Sequence, residues 1–443
     1  MDHRRKVFTA SLWVIGAFGL GQALRLAGNL IVTRLLEPEM FGVMAIIFVV
    51  MQGLTMFSDV GLWAFIVRHK GGAQAHILDT VWTMQLMRGW IVFILLVLLV
   101  LLFQGLKRSI GIDSGSVYGF DLLPVLLIVV GFTAVINGYK TMAPAVQSKE
   151  LNRAKLETIT LVSQSCGIAV MLLWAWFVPT IWALVAAGVT SSIISLILTY
   201  KVFPMRHKIA WDKEVVKEVF HFGKWVVLAS LLTFLAQQGD KFFFGAYISP
   251  ALLGVYSIAF MLASTLTSVT QQLASQILFP VFSRTVNSEG GELKAVYYNS
   301  RLKLDTVVYL SAGFLLAIAP TLISFLYDER YVEAGWMLQV LTVSIVGMAT
   351  SSVAQECLSA IGKTKIRMQV MLVRSVGLLV GLPLFFNFYG FEGAVWAVAL
   401  NVWMGLPVIY WVMYQNKLFS WFAEIRIMPV AIIGYGAGTL LVS

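Results

Sequence analysis

The sequence predicts an all-α, polytopic membrane protein with 12 to 13 transmembrane helices, arranged as two homologous six-helix lobes around a central cavity. Three observations predict it. The 443 residues are 59% hydrophobic and 12% charged, with a mean hydropathy of +0.84, whereas soluble domains carry about 25% charged residues. Uncharged runs such as GWIVFILLVLLVLLFQGL, Gly89 to Leu106, recur along the whole chain, and each approaches the roughly 20 residues that cross a hydrocarbon core as a helix. The chain also repeats itself: Ser11 to Phe48 aligns without a gap on Gly223 to Phe260.

The first apolar run follows the basic head MDHRRK. It outlasts the roughly 7–15 apolar residues of a signal peptide and shows no small-residue cleavage pattern before Arg25, so it reads as a first span, 8–35. Glu37-Pro38-Glu39 ends it and starts the next helix, since proline suits a first helical turn. The second span, 39–67, carries Gly42 as a point of close packing. Spans at 78–103, 121–145, 153–178 and 181–203 complete one lobe, 1–203, and an amphipathic connector, 204–218, follows. The second lobe, 219–414, has spans at 219–247, 250–282, 304–326, 333–361, 366–388 and 391–414. The rest, 415–443, is a basic loop and an apolar tail, 428–443, which reads either as a short terminal helix or as the start of a longer ending.

Lys and Arg fall in alternate loops. One set includes Arg68, Lys70, Lys149, Arg153, Lys201, Arg301 and Lys363; the other holds little beyond Lys107, Arg108 and Arg330, beside acids such as Asp113 and Glu329. The positive-inside pattern places the first set and the N-terminus in the cytoplasm. The formal charge of +10 therefore reflects topology, and no nucleic-acid partner is expected. Cys166 and Cys357 lie in apolar runs without a CxxC, which points to neither a metal site nor a disulfide framework. No cofactor is expected, and the phosphate-loop pattern GxxxxGK[ST] is missing.

In the repeat, Trp13 pairs with Trp225, Pro38 with Pro250, Gly42 with Gly254 and Phe48 with Phe260, each 212 apart (250 − 38). An even number of helices per repeat keeps both lobes in one orientation and makes the cleft between them the natural ligand site.

Ionisable groups at bilayer depth mark function by default, because each costs at least about 2.5 kcal/mol there. Gln22, Arg25 and Asn29 share one face of the first span; their repeat counterparts are Phe234, Gln237 and Lys241. Arg25 and Lys241 are candidate phosphate ligands, one bidentate and one a point charge, with structural ion pairing or snorkelling as the plainer use. Arg88 and Arg374 could extend a cationic cavity. Gln271 and Gln272, in TQQLASQ, suit a hydroxyl-rich ligand, although glutamines also tie helices together. Asp59, just before Gly61, could gate one side or cap a broken helix; Asp240 could couple ion movement or neutralise a buried cation. Trp82 and other aromatic residues near span ends read as an interfacial belt.

The stretches TRLLEPEMFGVMAI, QSKELNRAKLE and QQGDKFFFGAYISPALLGVYSIA resemble the polysaccharide-transporter branch of the multidrug/oligosaccharidyl-lipid/polysaccharide exporter superfamily, and the resemblance covers nearly the whole chain. It implies a flippase of a bacterial inner membrane that moves undecaprenyl-pyrophosphate-linked oligosaccharide repeat units of O-antigen, exopolysaccharide or capsule by alternating access. A monomer is expected, working beside a polysaccharide polymerase and other assembly proteins. A cation-coupled multidrug exporter, or an exporter of another lipid-linked precursor, is the alternative within the superfamily; the excess of cations over carboxylates in the spans favours an anionic substrate. An enzyme would need a catalytic loop that the short connections do not offer.

Overall fold

A computed structural model describes residues 2–69, 71–110, 115–149, 154–288, 292–426 and 428–442. Lys70, Asp113 and Arg153 of the charge pattern lie outside these ranges. The described chain is helical, in the order α1 (Asp2–Leu35), α2 (Pro38–Phe57), α3 (Leu62–Arg68), α4 (Ala75–Ile110), α5 (Leu123–Gly138), α6 (Ala143–Lys149), α7 (Ala154–Phe177), α8 (Trp182–Val202), α9 (Lys213–Tyr247), α10 (Pro250–Leu273), α11 (Phe279–Val286), α12 (Leu293–Leu326), α13 (Ala334–Ala360), α14 (Ile366–Asn401), α15 (Leu406–Gln415), α16 (Trp421–Ile425) and α17 (Met428–Val442). Two compact units result: unit 1 comprises Met1–Phe234 and Lys241–Gly254, and unit 2 comprises Leu235–Asp240 and Val255–Ser443.

Among the described residues, 10 helices are long and apolar enough to cross a membrane. The difference from the expected count has local causes. α1 stands outside that number, α5 is a shorter apolar helix, and Ile366–Gln415 forms one 50-residue stretch. Gly390 divides that stretch, at φ 63° and ψ −152°, a conformation essentially restricted to glycine. The break falls between the two spans expected at 366–388 and 391–414.

Within unit 1, the prolines that open α2 and α10 do more than start helices. A Cβ on Gly42 would overlap the Pro250 carbonyl oxygen and lie 2.9 Å from its carbon; a Cβ on Gly254 would overlap the Pro38 carbonyl oxygen and lie 2.7 Å from its carbon. The two repeat copies of Pro-x-x-x-Gly thus pack on each other reciprocally, through bare backbone.

The connector is tied to α4 in the same unit. Ala210 N–H donates to Thr83 Oγ1 at 3.0 Å, and Asp212 N–H to Thr80 Oγ1 at 3.3 Å. Asp212 then caps α9 by accepting from Glu214 N–H at 2.9 Å. Trp82 is buried, contrary to the interfacial-belt expectation, and stacks on His207 with centroids 5.6 Å apart. The connector folds back over this part of α4, so the ring meets His207 in place of an interface.

His207 acts as a latch with a defined tautomer. Its Nε2 accepts Met142 N–H at 3.1 Å, which leaves the proton on Nδ1, 3.2 Å from Asp79 Oδ1. Burial lowers its pKa from the usual 6.5, with Asp79 opposing. Between the lowered and ordinary values the undocked chain binds more protons, so docking is fully in place above about pH 6.5 and weakens as pH falls below it. Hydrogen exchange of 204–212, corrected for intrinsic rates, should therefore quicken from about pH 7 to about pH 5. His207→Gln should flatten that dependence; equal protection of the wild-type connector at both pH values refutes the latch.

Unit 2 holds a second departure from expectation. α12 begins at Leu293, well before the apolar run at 304, and Arg301 is therefore not a loop cation: it is 1% exposed. Its charge is met locally and at long range, which lets the helix continue through it. Nε donates to Asp305 Oδ2 at 2.7 Å, Nη1 pairs with Glu424, and Nη2 donates to Thr350 Oγ1 at 3.3 Å. The tail is a helix, α17, packed on α12: a Cβ on Gly313 would overlap the Ala431 carbonyl oxygen, and one on Gly434 that of Leu310.

Candidate functional site

The candidate residues fall into separate settings, set by the helices that carry them. On α1, Arg25 is exposed and Gln22 and Asn29 are half-buried. α1 is seated on α7, where Gln164 Nε2 donates to Gly21 O at 2.9 Å and Gly28 faces Ile168. Lys241, on α9, is half-buried.

Arg88 and Asp59 come together, at the break in α2. The helix ends at Phe57, Gly61 turns with φ 74°, and α3 resumes. Asp59 Oδ1 accepts Gly61 N–H at 3.0 Å, the short turn that Asp favours. Arg88 reaches across from α4: Nη2 donates to Thr55 O at 2.8 Å and Nε to Ser58 Oγ at 3.1 Å, with Asp59 Oδ1 at 3.4 Å from Nη1. The Thr55 carbonyl also accepts from Ser58 Oγ at 3.1 Å, so Arg88 adds three contacts to a helix end that already bonds to itself, and it ties α4 to the break.

In unit 2, α9, α10, α13 and α14 enclose a cavity of about 200 Å³. Gln237, Asp240, Gln271 and Arg374 line it, with Ser344 and Asn401. Gln272, next to Gln271, is half-buried and outside the lining. Asp240 is 2% exposed, and its Oδ2 accepts the Tyr256 hydroxyl at 2.5 Å. Its Oδ1 has no hydrogen-bond partner, nor has Arg374 Nε or Asn401 Oδ1. Arg374 itself is 5% exposed. A donor on a cation and two acceptors thus meet one cavity unfilled, and such groups normally find partners.

Sequence reasoning put Gln237, Gln271 and Arg374 among the cavity residues and Asp240 among the coupling or gating ones; that these four share one lining is set by how α14 packs on α9 and α10, which no local pattern reports. It missed Ser344 and Asn401, which stand in apolar runs with no charged residue nearby on the same face to draw attention to them. It also missed the Arg301–Asp305–Glu424 cluster, although the i, i+4 spacing of Arg301 and Asp305 was a usable sign.

A second cavity, of about 1200 Å³, lies in unit 1, lined among others by Arg68, His69, Lys217, Glu218 and His221. His69 Nε2 lies 3.4 Å from Glu218 Oε2 there. None of the expected substrate residues lines it.

A polytopic helical bundle with broken helices defines a multi-pass membrane protein. The structure is similar to an inward-facing multidrug resistance MATE family transporter of the MOP superfamily, with a TM-score of 0.65 and 16% identity over 98% of each chain. It is also similar to the lipid II flippase MurJ in an inward closed conformation, with a TM-score of 0.68 and 13% identity over 97% of this chain and 98% of that one. At such identities the likeness concerns fold alone. Residues 31–336 match the family described as "Polysaccharide biosynthesis protein", and the chain belongs to it. The chain is 21% identical to the succinoglycan biosynthesis transport protein ExoT of Rhizobium meliloti, over 84% of this chain and 72% of that protein. It is likewise 21% identical to the teichuronic acid biosynthesis protein TuaB of Bacillus subtilis, over 64% of this chain and 57% of that protein. It is a multi-pass membrane protein of that polysaccharide biosynthesis family.

Proposed function

We propose that this chain moves undecaprenyl-pyrophosphate-linked oligosaccharide repeat units across a bacterial inner membrane by alternating access, with Arg25 and Lys241 as ligands of the pyrophosphate. Arg25 carries the reading. It stands exposed on α1 between two amides, and it forms no hydrogen bond or ion pair with another described residue. A cation at span depth needs either water or an anion, and a guanidinium fork matches phosphate oxygens. The names of the two curated relatives, which concern polysaccharide assembly, support the substrate class. The basic loops support a cytoplasmic N-terminus and pickup of substrate on that side, and a polysaccharide polymerase would take the delivered units.

Complementation tests this. In a strain lacking its own repeat-unit flippase, the chain should restore surface polysaccharide. Arg25→Ala and Lys241→Ala should each cut that restoration at unchanged protein level, and Arg25→Lys should retain more than Arg25→Ala. A well-expressed chain that restores none of a panel of glycans, yet raises drug resistance in an exporter-deficient strain, would favour the multidrug alternative instead.

A further inference from the structure

We propose that unit 2 carries a subsite for one acidic sugar residue, a uronate, centred on Arg374. The inference rests on the reading of the chain as a glycan-lipid transporter, and it names the class of glycan. The cavity belongs wholly to unit 2 and measures about 200 Å³. That is below the roughly 300–1,000 Å³ of pockets for drug-sized ligands, so it admits one sugar ring and no chain.

The orphaned groups specify the chemistry. Arg374 has no ion pair or hydrogen bond with any described residue, although it is 5% exposed. Asp240 shares the lining but is held by Tyr256 and makes no ion pair with Arg374. A buried guanidinium without a direct partner is costly, and a ligand anion seated on it removes that cost. A phosphodiester or diphosphodiester would meet the guanidinium but brings acceptors only. Inorganic phosphate or pyrophosphate carries its P–OH donors on the charged group itself, with no ring to reach the other side of the cavity. Asp240 Oδ1 and Asn401 Oδ1 also lack partners, and they require donors. A neutral sugar supplies the hydroxyl donors but no anion. A uronate supplies both: its carboxylate takes the Arg374 fork, and its ring hydroxyls donate to Asp240 and Asn401. Gln271 and Ser344, in the same lining, can serve the remaining hydroxyls from either role. The Tyr256 hydroxyl holds Asp240 Oδ2 in place, which leaves Oδ1 as the oxygen available to the ligand.

The test uses the purified full chain and free sugars, so it does not depend on transport. Saturation-transfer NMR would compare sodium glucuronate, glucose, inorganic phosphate and inorganic pyrophosphate. Glucuronate should bind tightest, and Arg374→Gln should weaken it at least about tenfold while glucose stays unchanged. Arg374→Met keeps the apolar stem and removes only the guanidinium; loss of glucuronate binding in this variant beside a ligand-free melting temperature like that of wild type excludes misfolding as the cause. Equal binding of glucose and glucuronate, glucuronate binding that survives both variants, or Arg374-dependent binding of phosphate in preference to glucuronate would each overturn the proposal. Failed complementation with every glycan, beside intact uronate binding, would instead count against the flippase reading.

Discussion

Arg301→Met is expected to destabilise the protein by about 3–5 kcal/mol, the usual cost of removing one partner from a buried ion cluster. The substitution keeps the apolar stem and removes the only cation paired with Asp305 and Glu424 among the described residues, where the three are 1%, 0% and 4% exposed. Two carboxylates would then face each other without water. The cluster also joins distant parts of unit 2: Tyr298 on α12 donates to Glu424 Oε1 at 3.2 Å and accepts Ser420 N–H at 2.9 Å. The variant should therefore melt earlier in detergent and expose the segment around α16 to proteolysis before the rest of the unit. Glu424→Gln should be milder, because Asp305 still meets the guanidinium at 2.7 Å. Replacing all three by Met and Leu should recover most of the loss. An Arg301→Met protein that melts with wild type would show that the cluster contributes little.

Gly254→Ala is expected to cost at least about 1–3 kcal/mol, the range for forcing extra atoms into a packed contact. The new methyl has backbone rather than a flexible side chain in its way, since it would overlap the Pro38 carbonyl oxygen. Relief requires the first turns of α2 and α10 to separate. Gly42→Ala meets the equivalent overlap with Pro250 and should cost a similar amount. Because one separation relieves both overlaps, the double variant should lose less than the two single losses combined, a coupling typical of residues in contact. Thermal unfolding of the three variants measures this. Strictly additive losses would mean that the contacts are independent, and unchanged melting would mean that the helices are not held at this distance.

Much of the fold was legible because span length, proline and charge act locally. Hydropathy located the apolar cores, and Pro38, Pro250 and the gap around Gly390 located their breaks. Asp59, two residues before Gly61, suits either a gate or the cap of a broken helix, and the sequence reads as one unbroken span, 39–67; the structure places a break there. The errors lie at helix ends. α12 extends upstream of its apolar run because a helix end is fixed by caps and partners, whereas hydropathy reports the thickness of hydrocarbon. For the same reason Arg301 read as a loop cation: its second carboxylate partner, Glu424, is remote in sequence. Trp82 was misjudged because its partner, His207, sits in the connector.

The candidate site was legible as a set of residues and not as an arrangement. The cost of a charge in a span made Arg25, Arg88, Arg374 and Asp240 conspicuous one by one. Which of them keeps a structural partner was invisible: Arg88 is engaged at a helix break, while Arg374 is left unpaired beside a cavity.

By itself, then, the sequence determined that this is a multi-pass helical membrane protein with an internal sequence repeat, where Pro38, Pro250 and the gap around Gly390 separate its spans, and the family it resembles, because hydropathy, proline and glycine constrain the backbone within a few residues of themselves. Only the tertiary structure decided that the two repeat turns pack on each other, that the tail is a helix seated on α12, and that Arg301 is neutralised while Arg374 is not. Those facts depend on which surfaces meet across hundreds of residues, and the free energy of a buried charge is set by its neighbours in space.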